Sequence, residues 1–135
     1  MSTVRRGRVA GLLAPLAVAV LLAGCGGGGG GGGASAGYEQ PTGPAQSTIT
    51  ISAKNFAFTP SEVTAKAGII ELQLTSTGGL HDLVFDKGKF PGFQLEAGTG
   101  ETDAKKIDLK PGTYVFFCSL PGHRQAGMEG TITVK

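Results

Sequence analysis

Cys118, His123 and Met128 stand with four residues between each successive pair in the stretch Thr113 to Met128, TYVFFCSLPGHRQAGM. A thiolate, an imidazole and a thioether on one loop, with a second imidazole at His81, make the donor set of a cupric/cuprous site. Such a site takes one Cys and two His in a near-trigonal plane with Met as a weak axial ligand. The chain holds two His, two Cys and two Met. With Met1 and the amino-terminal Cys25 set aside, every remaining soft or imidazole donor falls in this set. The alternative is an irregular loop with a buried free Cys and a core Met, both common interior residues.

These donors need a scaffold. The run before Cys118 reads as a buried strand that delivers the Cys at its end. The Pro121-Gly122 and Ala126-Gly127 pairs then turn the loop so that His123 and Met128 approach the same point. The loop is too long for a tight hairpin of two to five residues, and a metal site accounts for the extra length. His81 lies well upstream, so the fold must bring two sequence-distant strands together.

Cys118-x4-His123-x4-Met128-Glu-Gly, followed by Thr131-Ile-Thr-Val and with His81 upstream, resembles the small blue (type 1) copper proteins of the plastocyanin and azurin family, the cupredoxins. The loop spacing is similar to that of rusticyanin-like and sulfocyanin-like members, and the resemblance covers Ser47 to Lys135. It implies a Greek-key β-sandwich or barrel and one copper ion cycling between Cu+ and Cu2+. It also implies one-electron transfer to redox partner proteins, with no reaction catalysed. The family commonly has Asn after the upstream His, where its side chain helps hold the Cys loop; Asp82 stands there instead. A carboxylate near the metal would favour the oxidised ion.

Two other functions share the ligands or the fold: a copper carrier or buffer with exchangeable metal, and a metal-free interaction domain. Multicopper enzymes need further His ligands and binuclear centres need a second loop Cys, so this inventory sets both aside. Structural zinc sites seldom use Met.

The chain opens with Arg5, Arg6 and Arg8, an apolar run from Val9 to Leu22, and then Leu22-Ala23-Gly24-Cys25. This order marks residues 1–24 as an export signal; the run is shorter than the roughly 20 apolar residues of a membrane span. Leu-Ala-Gly-Cys resembles the bacterial lipobox, which makes Cys25 the acylated first residue of the mature chain and the lipid bilayer a partner. An ordinary signal cut nearby, with Cys25 a free thiol, is the alternative. General and twin-arginine export both remain open. Gly26 to Gly33 are consecutive glycines, so residues 25–46 read as a flexible linker with a span of about 25 Å. The expected location is the outer face of the cell membrane or the periplasm.

Residues 1–24 hold three of the twelve basic residues and no acid, leaving nine against ten in the remainder, a net of about −1. No basic cluster with interleaved aromatics appears, so nucleic acid is not an expected partner, and a monomer is expected. Lys105-Lys106 reads as a solvated pair.

Residues 47–135 read as the cupredoxin-like copper domain that the resemblance implies. Thr48 to Ala53 and Ile70 to Thr75 alternate apolar and polar, as half-buried strands do. Pro60 marks an edge or crossing, and Ala67-Gly68 and Lys110-Pro111-Gly112 mark turns. His81 to Phe85, Ile107 to Leu109, Tyr114 to Cys118 and Gly130 to Lys135 read as further strands. Glu96 to Lys106 has room for a helical turn, broken at Gly98 and Gly100. At the surface, Leu120 and Pro121 beside His123 form the expected electron-transfer rim, and Arg124 adds a rim charge that would influence encounter rate.

Overall fold

The computed structural model describes residues 37–135, and the strands are counted among these described residues. Nine strands follow in order: β1 Ser47–Lys54, β2 Ala57–Thr59, β3 Glu62–Ala65, β4 Gly68–Gly78, β5 His81–Phe85, β6 Leu95–Ala97, β7 Thr102–Leu109, β8 Gly112–Phe117 and β9 Glu129–Val134. One sheet has the order β2-β1-β4-β7 and the other β3-β9-β8-β5-β6. β1 runs parallel to β4 and β3 parallel to β9, while the remaining pairs are antiparallel. The fold is the expected all-β sandwich.

Each strand follows from a period of two. Ile49, Ile51 and Ala53 of β1, and Ile70, Leu72 and Leu74 of β4, alternate with polar neighbours and are buried. Ile107 and Leu109 complete that inner face, while Phe116, Ile132, Leu83 and Leu95 supply the other. Burying one such side chain contributes about 1.5–3 kcal/mol. Gly130 is fixed by packing, because a Cβ there would lie 2.3 Å from Phe116 Cζ and 2.6 Å from the Ser61 carbonyl.

The same period carries β8 into the site. Tyr114 and Phe116 point inward, so Cys118, two residues further, inherits the inward phase and is buried. β4 ends at Gly78, β5 begins at His81, β8 ends at Phe117 and β9 begins at Glu129. Lys54 pairs with Gly78, so the β1–β2 hairpin tip lies at this same end. One pole of the sandwich therefore gathers every segment that carries an expected ligand.

Pro60 does mark the crossing from β2, at the edge of one sheet, to β3, at the edge of the other. Glu96 to Lys106 holds no helical turn: Leu95–Ala97 is β6, Thr102–Leu109 is β7, and Gly98 to Glu101 is the turn between them, closed by the Glu101 amide on the Gly98 carbonyl at 2.9 Å. Pairing of β7 with β4 along its whole length overrides any local helical tendency.

Residues 38–46, assigned to the linker on composition, lie along the domain. Tyr38 packs edge-on against Phe93 with ring centroids 4.9 Å apart. Gln40 Oε1 accepts the Lys106 amide at 2.7 Å, Lys106 Nζ donates to the Gly43 carbonyl at 2.9 Å, and the Gln46 amide donates to the Ile69 carbonyl at 2.8 Å. Lys106 is thus engaged by its own chain rather than freely solvated, and Lys105 pairs with Asp103 at 3.6 Å. The export signal, Cys25 and the glycine run lie outside the described residues.

Candidate metal centre

His81, Cys118 and His123 each present a donor atom, and these atoms lie within 4.8 Å of one another. Cys118 Sγ is 3.3 Å from His123 Nδ1, and the two imidazole centroids are 5.2 Å apart. Met128 is fully buried. Its backbone closes the loop: the Cys118 amide donates to the Met128 carbonyl and the Met128 amide to the His123 carbonyl, both at 3.1 Å. The four expected ligands thus belong to one pole, three as a cluster of donors and the fourth through the backbone that joins it to the other two loop residues.

His81 has one ring nitrogen engaged and the other free to bind. Its Nε2 lies 2.8 Å from the Gly78 carbonyl, which can only accept, so Nε2 carries the hydrogen and the neutral ring keeps its lone pair on Nδ1. Nδ1 is buried without a partner. A buried polar atom left unpaired is costly in an apolar interior, and a metal ion beside Cys118 Sγ would satisfy it. Fixing a ligating imidazole through its other nitrogen is the usual way a protein orients it. The Gly78–Leu80 turn is itself anchored by Ser76, which is buried and donates Oγ–H to the Gly79 carbonyl at 2.7 Å, and by Thr99 Oγ1, which accepts the Gly79 amide at 2.7 Å.

Asp82 is 1% exposed and holds the start of the ligand loop. Its carboxylate accepts the Ser119 amide at 2.6 Å, the Ser119 hydroxyl, and Gln94 Nε2 at 2.9 Å. Burial pushes the Cys118 thiol above its ordinary range; hydrogen bonds from the Asp82 and Leu120 backbone pull it down in part, and the Asp82 carboxylate adds a lesser rise. A coordinated cation reverses that balance and binds the thiolate.

His123 is half-buried, whereas His81 is buried. Phe56 and Leu80, large apolar side chains at this pole, are each 49% exposed. They line one open depression with Asn55, Gly78, Gly79, His81 and His123. The Phe56 ring stands edge-to-face on the His123 imidazole, centroids 4.8 Å apart and planes at 89°. Leu120 is half-buried and packs on the core, so it serves more as a loop anchor than as open rim, while Pro121 is exposed. Sequence reasoning missed Phe56 and Leu80. An Asn-Phe pair between two short alternating runs was the available sign of a hairpin tip.

Arg124, the expected rim charge, is paired. Its guanidinium is bound by Glu129 and Asp86, and its central carbon lies 3.9 Å from the centroid of the Phe117 ring. Hydrogen bonding to Arg124 holds the Asp86 carboxyl below its usual range, and the two carboxylates raise the guanidinium in turn.

Residues 45–135 match the family of copper-binding proteins described as the plastocyanin/azurin family. The chain is 38% identical to plastocyanin of Scenedesmus fuscus over 99 residues, 65% of this chain and 98% of that protein. It is 34% identical to plastocyanin of Nostoc punctiforme, over 58% of this chain and 65% of that one. Among solved structures, auracyanin B superposes with a TM-score of 0.62 at 21% identity, over 73% of this chain and 96% of that chain. The dithionite-reduced auracyanin of the photosynthetic bacterium Roseiflexus castenholzii does so with a TM-score of 0.55 at 27% identity, over 68% and 99%.

Proposed function

The chain belongs to the plastocyanin/azurin family of copper-binding proteins, and from that premise we propose that it is a one-electron carrier. In this reading His81, Cys118, His123 and Met128 hold one copper ion. The observation that carries it is the His81–Cys118–His123 donor cluster, in which His81 Nδ1 is buried and has no hydrogen-bond partner. Copper bound there supplies the Cu+/Cu2+ couple. The chain's own contribution is rigidity: the Gly78 carbonyl fixes the His81 ring, Asp82 fixes Ser119, and Cys118 and Met128 are joined through the backbone. A donor set held in place changes little when an electron arrives or leaves, which favours fast transfer. No bond of a substrate need be made or broken, so the protein is not an enzyme in this reading.

Electrons cross at the pole where the His123 edge, Phe56, Leu80 and Pro121 form a small apolar surface. Redox encounters are typically small and weak, and redox proteins at the membrane are the partners this surface suits. Export and tethering through an acylated Cys25 complete the reading. They rest on the basic and apolar residues before Leu22-Ala23-Gly24-Cys25.

Loading the exported protein with copper and recording its visible spectrum and potential tests the proposal. An intense thiolate-to-Cu(II) band, a reversible couple and copper that resists a chelator are expected. Rapid loss of copper to the chelator would make the protein a carrier of metal instead. Met128→Leu should keep the colour and raise the potential, because losing a weak axial donor disfavours Cu(II); an unchanged potential would leave Met128 a packing residue.

A further inference from the structure

Arg124 follows His123 directly, and its side chain is held on three sides. Nε donates to Glu129 Oε2 at 2.6 Å, with Nη2 2.5 Å from the same oxygen. Nη1 donates to Asp86 Oδ1 at 3.2 Å, and the guanidinium plane covers the Phe117 ring. The partners' places in the chain matter more than their number. Phe117 immediately precedes Cys118 and Glu129 immediately follows Met128, and these two are paired across β8 and β9. Asp86 begins the 3-10 turn after β5, the strand that starts at His81. One side chain from the middle of the loop is thereby tied to the residues at both of its ends and to the strand of the upstream His.

We propose that Arg124 is a positioning residue for the metal centre, a brace across the outer side of the ligand loop that keeps His123 and Met128 in register with Cys118. The proposal rests on the electron-transfer reading of the site. Asp82 holds the loop only at Ser119. Beyond that point the loop is held within itself: His123 amide to Leu120 carbonyl, Ala126 to Gly122 and His123, Gly127 to Arg124 and Met128 to His123, with the Cys118 amide on the Met128 carbonyl across its base and Cys118 Sγ 3.3 Å from His123 Nδ1. Among the described residues, Arg124 supplies the side-chain hydrogen bonds that tie this second half of the loop to neighbouring strands. A charge displayed to a partner would have to be free, whereas this one faces two carboxylates. The Asp86–Arg124–Glu129 group carries a net charge of −1, so a docking partner meets the opposite sign from the one an isolated Arg suggests. The planar fork and the stacked ring are properties that Lys does not share.

The test compares Arg124→Lys and Arg124→Ala in the full exported protein, with amide exchange read in both metal-free and copper-loaded forms. A brace predicts that both variants speed exchange at Ala126, Gly127 and Met128 severalfold and speed copper loss to a chelator severalfold. Exchange in β4 should stay unchanged and the colour should remain. Arg124→Lys behaving like the parent, with Arg124→Ala changing only the salt dependence of association with a charged redox partner, would overturn the brace and restore a docking role. Should Arg124→Ala fold poorly, Glu129→Gln and Arg124→Lys must still loosen the loop amides; unchanged exchange in both also overturns it. Failure of the parent to form a coloured copper site would sink the electron-transfer reading, and the metal-free exchange data would still decide whether the brace exists.

Discussion

The Asp82 carboxylate accepts the Ser119 amide at 2.6 Å, so the residue after one expected ligand, His81, holds the residue after another, Cys118. An Asn at this position would make the same bond through its amide oxygen. Its amide NH2 would donate to the Ser119 hydroxyl, and Gln94 would turn over to offer its oxygen. What Asn lacks is the charge. The oxidised centre carries one more positive charge than the reduced one, and a buried negative charge nearby favours it. Asp82→Asn should therefore keep colour and fold while raising the potential, by on the order of 1 kcal/mol of relative stability between the two oxidation states. Potentiometry decides this, and a potential that stays put or falls would refute the charge argument.

Cys118→Ser should abolish the intense visible band and leave the sandwich folded, since a hydroxyl is neither soft nor readily ionised. The parent's thiol is pushed up by burial, so the metal-free protein holds its proton at neutral pH. Metal uptake must then release it. Calorimetry in buffers of different ionisation enthalpy should detect about one proton leaving per copper bound. No proton release would mean that the sulfur is not a ligand.

Strand alternation in Thr48 to Ala53 and Ile70 to Thr75 made the sandwich legible, because a half-buried strand imposes its period directly on side-chain polarity. The ligand cluster was legible too, since few residue types can bind copper and this chain has almost no spare ones. The rim was not. Phe56 is distant in sequence from the ligand loop, and only the pairing of β1 with β4 carries the hairpin tip to the metal pole. Arg124 was misjudged for a related reason. Its neighbours Leu120, Pro121 and Gly122 suggested a surface loop, while Asp86 comes from the turn that follows β5. The helical turn expected within Glu96 to Lys106 failed because the polar first half of β7 hides its period, and pairing with β4 decides its conformation.

Cys25→Ala should move the protein from the membrane fraction to the soluble exported fraction and remove metabolic labelling by a fatty acid. Copper binding should be unaffected, because the proposed ligands all lie in residues 81–128. A variant that stays with the membrane while unlabelled would point to an uncut apolar signal as the anchor.

Phe56 occupies the second position of the two-residue turn that joins β1 to β2, where Lys54 pairs with Ala57. Asn55 and Phe56 have φ of 45° and 66°, as a type I′ turn requires at both positions. Asn suits this conformation, but an aromatic residue there is an outlier, and the left-handed region costs an ordinary residue about 1–2 kcal/mol. Glycine is the usual solution, and its extra freedom in the unfolded chain takes back only about 0.5–1 kcal/mol. Phe56→Gly should therefore leave the fold as stable as the parent or up to about 1 kcal/mol more stable. Strain kept at such a place points to use. The ring stands on the His123 edge and is half exposed, so it extends the apolar contact surface beside that ligand. Phe56→Gly should slow electron self-exchange severalfold while its potential and colour stay close to the parent's. Leu80→Lys, in the same depression, should slow self-exchange through like charges brought face to face, with the effect greatest at low salt. It is a better probe than Leu120→Lys, which would remove a half-buried loop anchor and confuse docking with stability. Undiminished self-exchange in both Phe56→Gly and Leu80→Lys would mean that electrons leave by another face of the protein.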